Sequence, residues 1–486
     1  MDDIDVLVLG GGINGTAIAR EAQERGLRVV LVEREDLASA TSSASSKLIH
    51  GGLRYLAQAK IALVRESLRE RALLLQHAPH LVKPLSFVLP TGVFGAPSWQ
   101  VRIGLWLYDH LAKRGQLHKS YRLTRENPNM HALSQDISSA YCYQDCFGDD
   151  ARLVISNALA AAQAGAKIYN YVGDYTLTRE TDVWQLNLNQ PKLSLRSKLV
   201  INATGPWVAD VLKSLHMTSK QVLLGVKGSH IVVSRFITGD TAYTLPQPDG
   251  RVVFVIPYLQ QYCLIGTTDV AYEQDPRDAT LGDAECNYLC QAISRYFSVT
   301  LKPSDIVWHY SGVRALAADK QTQVSKVSRE YRLIWDLKAS PMLSVYGGKL
   351  TTHRSLAEHA LNQCRRIFPK LLPSRSASAP LPGGDLDDWS AFVLDCAEQY
   401  PFLPMPLLER YTRTYGTRLH ELLKDKCSLD DLGTHFGSGL YQHEVDFLRE
   451  TEWAITAEDI LWRRTKLGLS LTEAEQQRLD CYMTSI

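Results

Sequence analysis

The chain has no surplus of either charge: among 486 residues, 53 Lys and Arg stand against 52 Asp and Glu. A net charge of +1 gives no global attraction to nucleic acid, so any anion site must be a local cluster of cations. No run of about 18 apolar residues occurs, so no helix is expected to span a membrane. Nine cysteines include no C-x-x-C pair. Cys142/Cys146 and Cys286/Cys290 are spaced to share a helix face if those segments are helical, but no His-rich motif accompanies them. Buried or partly exposed thiols are the expectation, with no metal site and no disulfide framework. No repeat at solenoid or propeller periods is found. The first apolar run begins so near Met1 that no signal or transit peptide is expected before it. What is left is a globular chain, 45% hydrophobic and 22% charged, expected on the cytosolic side of any membrane. Its length exceeds one core and implies two or three domains.

The most informative stretch is Val6 to Gly15, which closes on Val29 to Glu33. An apolar strand ends at Gly10, a G-x-G-x-x-G spacing follows at Gly10, Gly12 and Gly15, and an alanine-rich helix leads to a second strand and an acid. Gly10 permits a tight turn, Gly12 lets backbone approach a pyrophosphate, and Gly15 lets helix and strand pack closely. Ile13 and Asn14 open the helix, whose N-terminal amides and dipole favour a phosphate. Glu33 is placed to accept hydrogen bonds from an adenosine ribose. The spacing alone is weak; the ordered context around it makes it a dinucleotide site.

Further along, the Ser-rich block Thr41 to Ser46 runs into Lys47-Leu48-Ile49-His50-Gly51-Gly52-Leu53-Arg54-Tyr55, where glycines beside charged and aromatic groups point to backbone held against a ligand. Residues 60–80 have helical periodicity. Residues 98–121 hold Trp99, Ile103, Trp106 and Tyr108, with Arg102, Lys113, Arg114, Lys119 and Arg122 around them. That pattern fits a membrane-surface helix, but a core helix with one solvated face is favoured about two to one. Asp149-Asp150 open another helix, with carboxylates at its positive end. Residues 167–200 alternate like a small antiparallel sheet, and Leu199 to Ala203 is a buried strand returning to the first domain, ending at Gly205. Residues 221–270 are strand-like. The stretch 370–385 is the clearest linker, and everything beyond it has the pattern of helices.

The fingerprint does not separate NAD from FAD. Two features favour FAD: the return strand comes about 190 residues after the first, as in interleaved two-domain flavoproteins, and there is one fingerprint, leaving no built-in nicotinamide site. Electrons then pass from substrate to flavin and on to a quinone, oxygen or a protein carrier. Cations on expected turns (Arg54, Lys227, Arg314, Arg329 and Lys349) match carboxylate or phosphate geometry. His50 and His230 are the groups able to take a hydroxyl proton near neutral pH, although a structural role is the commoner fate of a histidine.

Seven blocks together resemble the FAD-dependent glycerol-3-phosphate dehydrogenases, most closely the bacterial aerobic, quinone-linked type: Gly10–Gly15, Ala40–Leu56, Asn202–Trp207, Lys227–His230, Gly266–Asp269, Ser311–Arg314 and Gly347–Thr352. The resemblance extends to Trp462-Arg463-Arg464-Thr465-Lys466. It implies an α/β two-domain flavoprotein like D-amino-acid and glycine oxidases. A Rossmann-like FAD domain (about 1–80, 145–210 and 305–368) would interleave with an antiparallel-sheet substrate domain (about 81–144 and 211–304), followed by linker 371–385 and a helical domain, 386–486. It implies oxidation of sn-glycerol 3-phosphate to dihydroxyacetone phosphate, with ubiquinone as acceptor, at the cytoplasmic face of the inner membrane, and leaves a homodimer open.

By position, Gly10, Gly12, Ile13, Asn14, Gly15 and Glu33 would hold the ADP half of FAD. Thr41, Ser42, Ser45, Ser46 and Lys47 would follow the pyrophosphate and ribityl chain. Gly205, Gly312, Gly348, Lys349, Leu350 and Thr351 would close on the cofactor. Arg54, Tyr55, Arg329 and Lys349 would take the substrate phosphate, and Arg314, His50 and His230 would surround the reacting hydroxyl. Two departures stand out: Ala315 where the family usually has Pro, and His353 where Tyr is usual. The competing readings are a glycerol-phosphate oxidase using oxygen, an amine or amino-acid oxidase of the same fold, and a flavin-binding regulator without turnover. A flavin-dependent RNA-modifying enzyme would need a broad basic face that the charge balance does not provide.

Overall fold

The computed structural model describes residues 2–112, 115–218, 221–318 and 330–485. Strand β1 (Asp2–Leu9) leaves the sheet at Gly10, whose φ of +106° is left-handed, and helix α1 (Ile13–Glu24) starts three residues later. A side chain at Gly15 would put its Cβ 1.9 Å from the Gly10 carbonyl oxygen, so α1 can approach β1 this closely only over glycine. Strand β2 (Val29–Val32) then pairs parallel with β1, Val6 opposite Val29.

The return strand Leu193–Asn202 lies parallel on the other side of β1, with Val6 opposite Leu199. It is the step that joins distant sequence into one sheet. The full sheet has eight strands: the parallel core is flanked by Arg332–Asp336, and the hairpin Tyr175–Arg179/Trp184–Leu188 extends one end. The four residues of β2 are all buried and apolar, as expected where helices cover both faces of a parallel sheet. α1, Asp150–Gln163 and His353–Gln363 pack together over this sheet. Asp149 caps the second of them, accepting from Arg152 N at 3.1 Å.

A second sheet of ten strands is built around the long pair Val222–Ser234 and Ile306–Ala318. Cys142 and Cys146 lie on its strand Ala140–Gly148 and not on a helix, whereas Cys286 and Cys290 do share the helix Asp283–Ser294; all four are buried free thiols. Beyond residue 389 a separate apolar core gathers Leu408, Tyr411, Leu419, Leu448 and Ile460. That region is not wholly helical: His435–Gly437 and Leu440–Tyr441 form a short ribbon.

The segment between is anchored along its length. Arg25 Nε donates to Leu372 O at 2.7 Å, Leu381 N donates to His77 O at 2.9 Å, and Leu371, Ser376 and Leu381 are buried.

The helix Ser98–His110 corrects the favoured core reading. It buries only Leu105 and Tyr108, while Trp99, Ile103 and Trp106 are 62%, 58% and 61% exposed. These three recur at helical spacing, so one whole apolar face is turned outward. Arg102, Lys119 and Arg122 are exposed around it; Lys113 and Arg114 lie outside the described residues. No helix of the described residues is long and apolar enough to cross a membrane.

Candidate active site

A cavity of about 1170 Å³ runs from the end of β2 past the Gly10–Gly12 turn to the second sheet. At its first end Glu33 accepts from Gly11 N at 2.6 Å and from Glu35 N at 3.1 Å. Burial pushes its carboxyl above the usual range, and those amides oppose the shift. Each oxygen keeps a further lone pair, so a ribose hydroxyl still finds an acceptor there. Ser42 Oγ accepts from Ile13 N at 3.0 Å, and Thr41 Oγ1 donates to Val313 O at 2.7 Å. The Ser-rich loop thus spans from the N-terminus of α1 to the second sheet.

The middle of the cavity is floored by glycine. Gly12, Gly205, Gly312 and Gly348 all line it. A Cβ at Gly12 would meet Ser42 Oγ at 3.1 Å, and one at Gly312 would meet Ala44 Cβ at 2.8 Å. At Gly348 (φ +106°) it would meet Asn14 Nδ2 at 2.8 Å. Asn14 Nδ2 donates to Gly347 O at 3.0 Å, while its buried Oδ1 has no hydrogen-bond partner. The orphaned acceptor calls for a donor on the ligand, such as a ribityl hydroxyl or a ring N–H, while the glycine floor admits a flat group and the open helix N-terminus suits a pyrophosphate. These residues fit FAD.

Ser45, Ser46 and Lys47 also serve the fold. All three line the cavity, but their polar ends are engaged within the protein. Lys47 Nζ reaches Asp150 at 2.7 and 2.9 Å and Ser43 O at 3.0 Å, and Ser45 Oγ donates to Asp150 at 2.8 Å. Burial draws the Lys47 ammonium below its usual range against the pull of Asp150. The pair pins the loop to the helix Asp150–Gln163 and leaves the cofactor little of Lys47's charge.

At the far end the wall holds His50, Tyr55, Phe254, Arg314, Lys349 and Thr351. Lys349 Nζ sits 4.1 Å over the Tyr55 ring. The imidazole of His50 meets Phe254 edge-on at 6.4 Å, and Thr351 Oγ1 accepts from His50 N at 3.3 Å. Arg314 pairs with Asp269 at 2.6 Å. Arg314 and Lys227 are on strands, not turns, and the pleat separates them. Val226 faces Arg314 and Lys227 faces Val313, so the two cations leave opposite faces. Lys227 goes away from the cavity, to Glu285 at 2.7 Å and Thr280 O at 2.8 Å. Ala315 leaves the Arg314 ion pair intact.

Three further expectations are affected. Arg54 is half-buried on the 3-10 turn Leu53–Gln58 and is not part of the cavity wall. Neighbours on so tight a turn diverge, and it is Tyr55 that faces inward. His230 is not at the wall either. It lies 1% exposed behind Ser46 and Tyr310, with Nε2 2.8 Å from Ser46 Oγ and its ring stacked on Tyr310 at 4.9 Å. A Cβ at Gly266 would fall 2.1 Å from the His230 ring, so glycine opposite makes the slot it occupies. Burial, then Arg314 and Lys47, hold its pKa well below the usual histidine value, so it is neutral. Arg329 lies outside the described residues. His353 is buried, with Nδ1 donating to Leu350 O at 2.7 Å and Nε2 accepting from Asn157 at 3.2 Å, and burial lowers its pKa to about 4.

Sequence reasoning missed the aromatic wall of Phe254, Trp308 and Tyr310, which alternates along strands without a motif. It also gave no role to Trp462, which stacks on Trp308 at 4.4 Å and lines the cavity with Arg463 and Lys466.

The family model described as FAD dependent oxidoreductase matches residues 5–354, and the one described as the C-terminal domain of alpha-glycerophosphate oxidase matches 374–482. The chain is 45% identical to a glycerol-3-phosphate dehydrogenase of Pseudomonas aeruginosa, over 99% of this chain and 95% of that one. It is 42% identical to a D-erythritol 1-phosphate dehydrogenase of Brucella abortus, over 97% and 96%. The solved structure of a glycerol-3-phosphate dehydrogenase from Bacillus halodurans complexed with FAD superposes with a TM-score of 0.76 at 23% identity, covering 99% of this chain and 94% of that one. That last likeness shows the fold.

Proposed function

The chain belongs to the FAD-dependent oxidoreductases, among the glycerol-3-phosphate dehydrogenases, and on that premise we propose that it oxidises sn-glycerol 3-phosphate to dihydroxyacetone phosphate and passes the electrons to ubiquinone. One observation carries the reading: a glycine-floored cavity long enough for a dinucleotide ends at Lys349, Arg314 and His50, a cationic end in a chain with no net charge to spare. Bound FAD, held by the Gly10–Asn14 turn, Glu33, Ser42 and the Gly312 and Gly348 edges, supplies the hydride acceptor. Lys349 over Tyr55 offsets the substrate phosphate, and Arg314, fixed by Asp269, orients the polyol end. His50, at the wall between Thr351 and Phe254, takes the hydroxyl proton. Phe254 and Tyr55 keep water from that end.

The outward face of Ser98–His110, with Trp99, Ile103 and Trp106 among exposed Arg102, Lys119 and Arg122, supports attachment to an anionic lipid surface. A protein seated there on the cytoplasmic face of the inner membrane would meet a lipid-soluble quinone. Flotation with anionic liposomes tests this: wild type should float and Trp99→Ser/Trp106→Ser should stay in the soluble fraction.

The D-erythritol 1-phosphate relative favours a second reading in which the polyol is longer. Dye-linked turnover with sn-glycerol 3-phosphate, D-erythritol 1-phosphate and glycine separates the readings. The proposal expects the first to give the highest kcat/KM; a higher value for the four-carbon phosphate would transfer the assignment to it, and turnover of glycine alone would overturn the phosphate site.

A further inference from the structure

We propose that Tyr108 is a positioning residue, which holds Gly51 and through it the backbone of His50 against the cavity wall; this rests on the reading of His50 as the group beside the reacting hydroxyl. Tyr108 is 3% exposed and lies on the helix Ser98–His110, whose only other buried side chain is Leu105. Its hydroxyl accepts from Gly51 N at 2.8 Å and donates to the Asp145 carboxylate, 2.8 Å from either oxygen. Asp145 is in turn held by the buried guanidinium of Arg71, which also donates to Gln144 O at 3.1 Å. The residue next in chain to His50 is therefore tied, through one hydroxyl, to a buried ion pair.

The local sequence is fitted to this contact. A Cβ at residue 51 would fall 2.6 Å from the Tyr108 oxygen and 2.4 Å from Leu68 Cδ2, so only glycine lets the hydroxyl reach the amide. On the other side Thr351 Oγ1 lies 3.3 Å from His50 N and 3.5 Å from His50 O. The His50–Gly51 backbone is thus gripped from two directions, by Thr351 from the cofactor edge and by Tyr108 from behind. Burial, reinforced by Asp145, raises the Tyr108 pKa well above the usual value, so the hydroxyl keeps its proton and its two roles do not exchange with pH. Loss of the hydroxyl leaves Gly51 N only a 3.3 Å contact to Asp145, and the His50 turn gains freedom.

The test is anaerobic flavin reduction by sn-glycerol 3-phosphate in purified holoenzyme, comparing wild type, Tyr108→Phe and Thr244→Val. The last removes another buried hydroxyl, from the strand Thr241–Pro246 of the second sheet, where it is the partner of Tyr143 at 2.8 Å, without touching Gly51. Misplacing a reacting group costs between about tenfold and a hundredfold in rate. Tyr108→Phe should therefore reduce at least about tenfold more slowly, with half-saturating substrate within about twofold and FAD content unchanged. Thr244→Val should stay within about twofold of wild type. Equal slowing in both variants, or a wild-type rate in Tyr108→Phe, overturns the proposal. Hydrogen exchange of the peptide spanning His50 to Gly52 decides it without substrate. Faster exchange in Tyr108→Phe supports the proposal and unchanged exchange refutes it, while a wild-type flavin that glycerol 3-phosphate fails to reduce counts against the substrate reading alone.

Discussion

The cofactor cavity and the seam under the C-terminal helices are both rich in charge, and they use it in opposite ways. At the seam two carboxylates, Asp36 and Glu452, meet arginines in the dry interior. Asp36 takes Arg463 at 2.6 Å and Arg464 at 2.7 Å, and Glu452 takes both Arg152 and Arg418, with Asp36 and Glu452 fully buried. In the cavity the Arg314–Asp269 pair is 25% and 19% exposed and the floor is glycine. Charges matched and sealed against one another cannot lose a partner without stranding the other in the interior. Charges placed on a cavity wall beside permissive backbone can face a ligand. The two regions meet at Asp459–Arg464, whose Arg463 serves both the Asp36 pair and the cavity wall.

If that contrast is right, the seam breaks in stability and the cavity breaks in kinetics. Glu452→Ala strands Arg152 and Arg418 in the interior and should cost about 3–5 kcal/mol. A steep fall in the denaturation midpoint is expected; a change below about 1 kcal/mol would mean the seam is not sealed.

Acid should find the same weak point next. Burial raises the Glu452 pKa, but Arg152 and Arg418 outweigh it and bring it from 4.5 down to about 2. The folded state holds the charged form, so its contribution is complete above about pH 4.5 and lost as pH falls toward 2, about 3 kcal/mol in all. The wild-type melting midpoint should fall as pH drops through that window, and the midpoint of Glu452→Gln should depend on pH less steeply there.

Lys349→Ala tests the other side of the contrast. It should lower kcat/KM for glycerol 3-phosphate by about a hundredfold, a loss of about 2.7 kcal/mol in transition-state binding. The melting midpoint should move far less than in Glu452→Ala, because Lys349 lines the cavity and is not sealed in the interior. A melting loss as large as that of Glu452→Ala would erase the distinction between the regions.

The smallest effect expected is that of Gly348→Ala. A φ of +106° and a Cβ 2.8 Å from Asn14 Nδ2 cost about 1–3 kcal/mol, felt mainly as weaker FAD retention. Flavin content after dialysis measures it, and full retention would remove Gly348 from the cofactor edge.

Much of this was legible in the chain because local chemistry and tertiary use coincide. Gly10, Gly12 and Gly15 are demanded by a turn, a close approach and a helix contact that all lie within one βα unit. Leu199 to Ala203 announced a buried parallel strand through continuous apolar character. What stayed hidden depends on pairing between distant segments. Nothing local in Lys227 and Arg314 tells that neighbouring strands send one to Glu285 and the other to the cavity. Arg54 and Tyr55 are adjacent, and only the 3-10 turn decides which faces in. His230 had the right residue type and lies one layer too deep, because Gly266 across the sheet opens a slot for it. The helix Ser98–His110 has an amphipathic pattern that does not reveal whether its apolar face is covered. Trp462 reaches the cavity from a region whose sequence carries no cofactor motif.

The measurement closest to the central claim is the flavin absorbance near 450 nm on anaerobic addition of sn-glycerol 3-phosphate. The account predicts bleaching that reverses when a ubiquinone analogue is added. A protein that stays yellow with glycerol 3-phosphate and bleaches with an amine or amino acid would keep the fold and contradict the site.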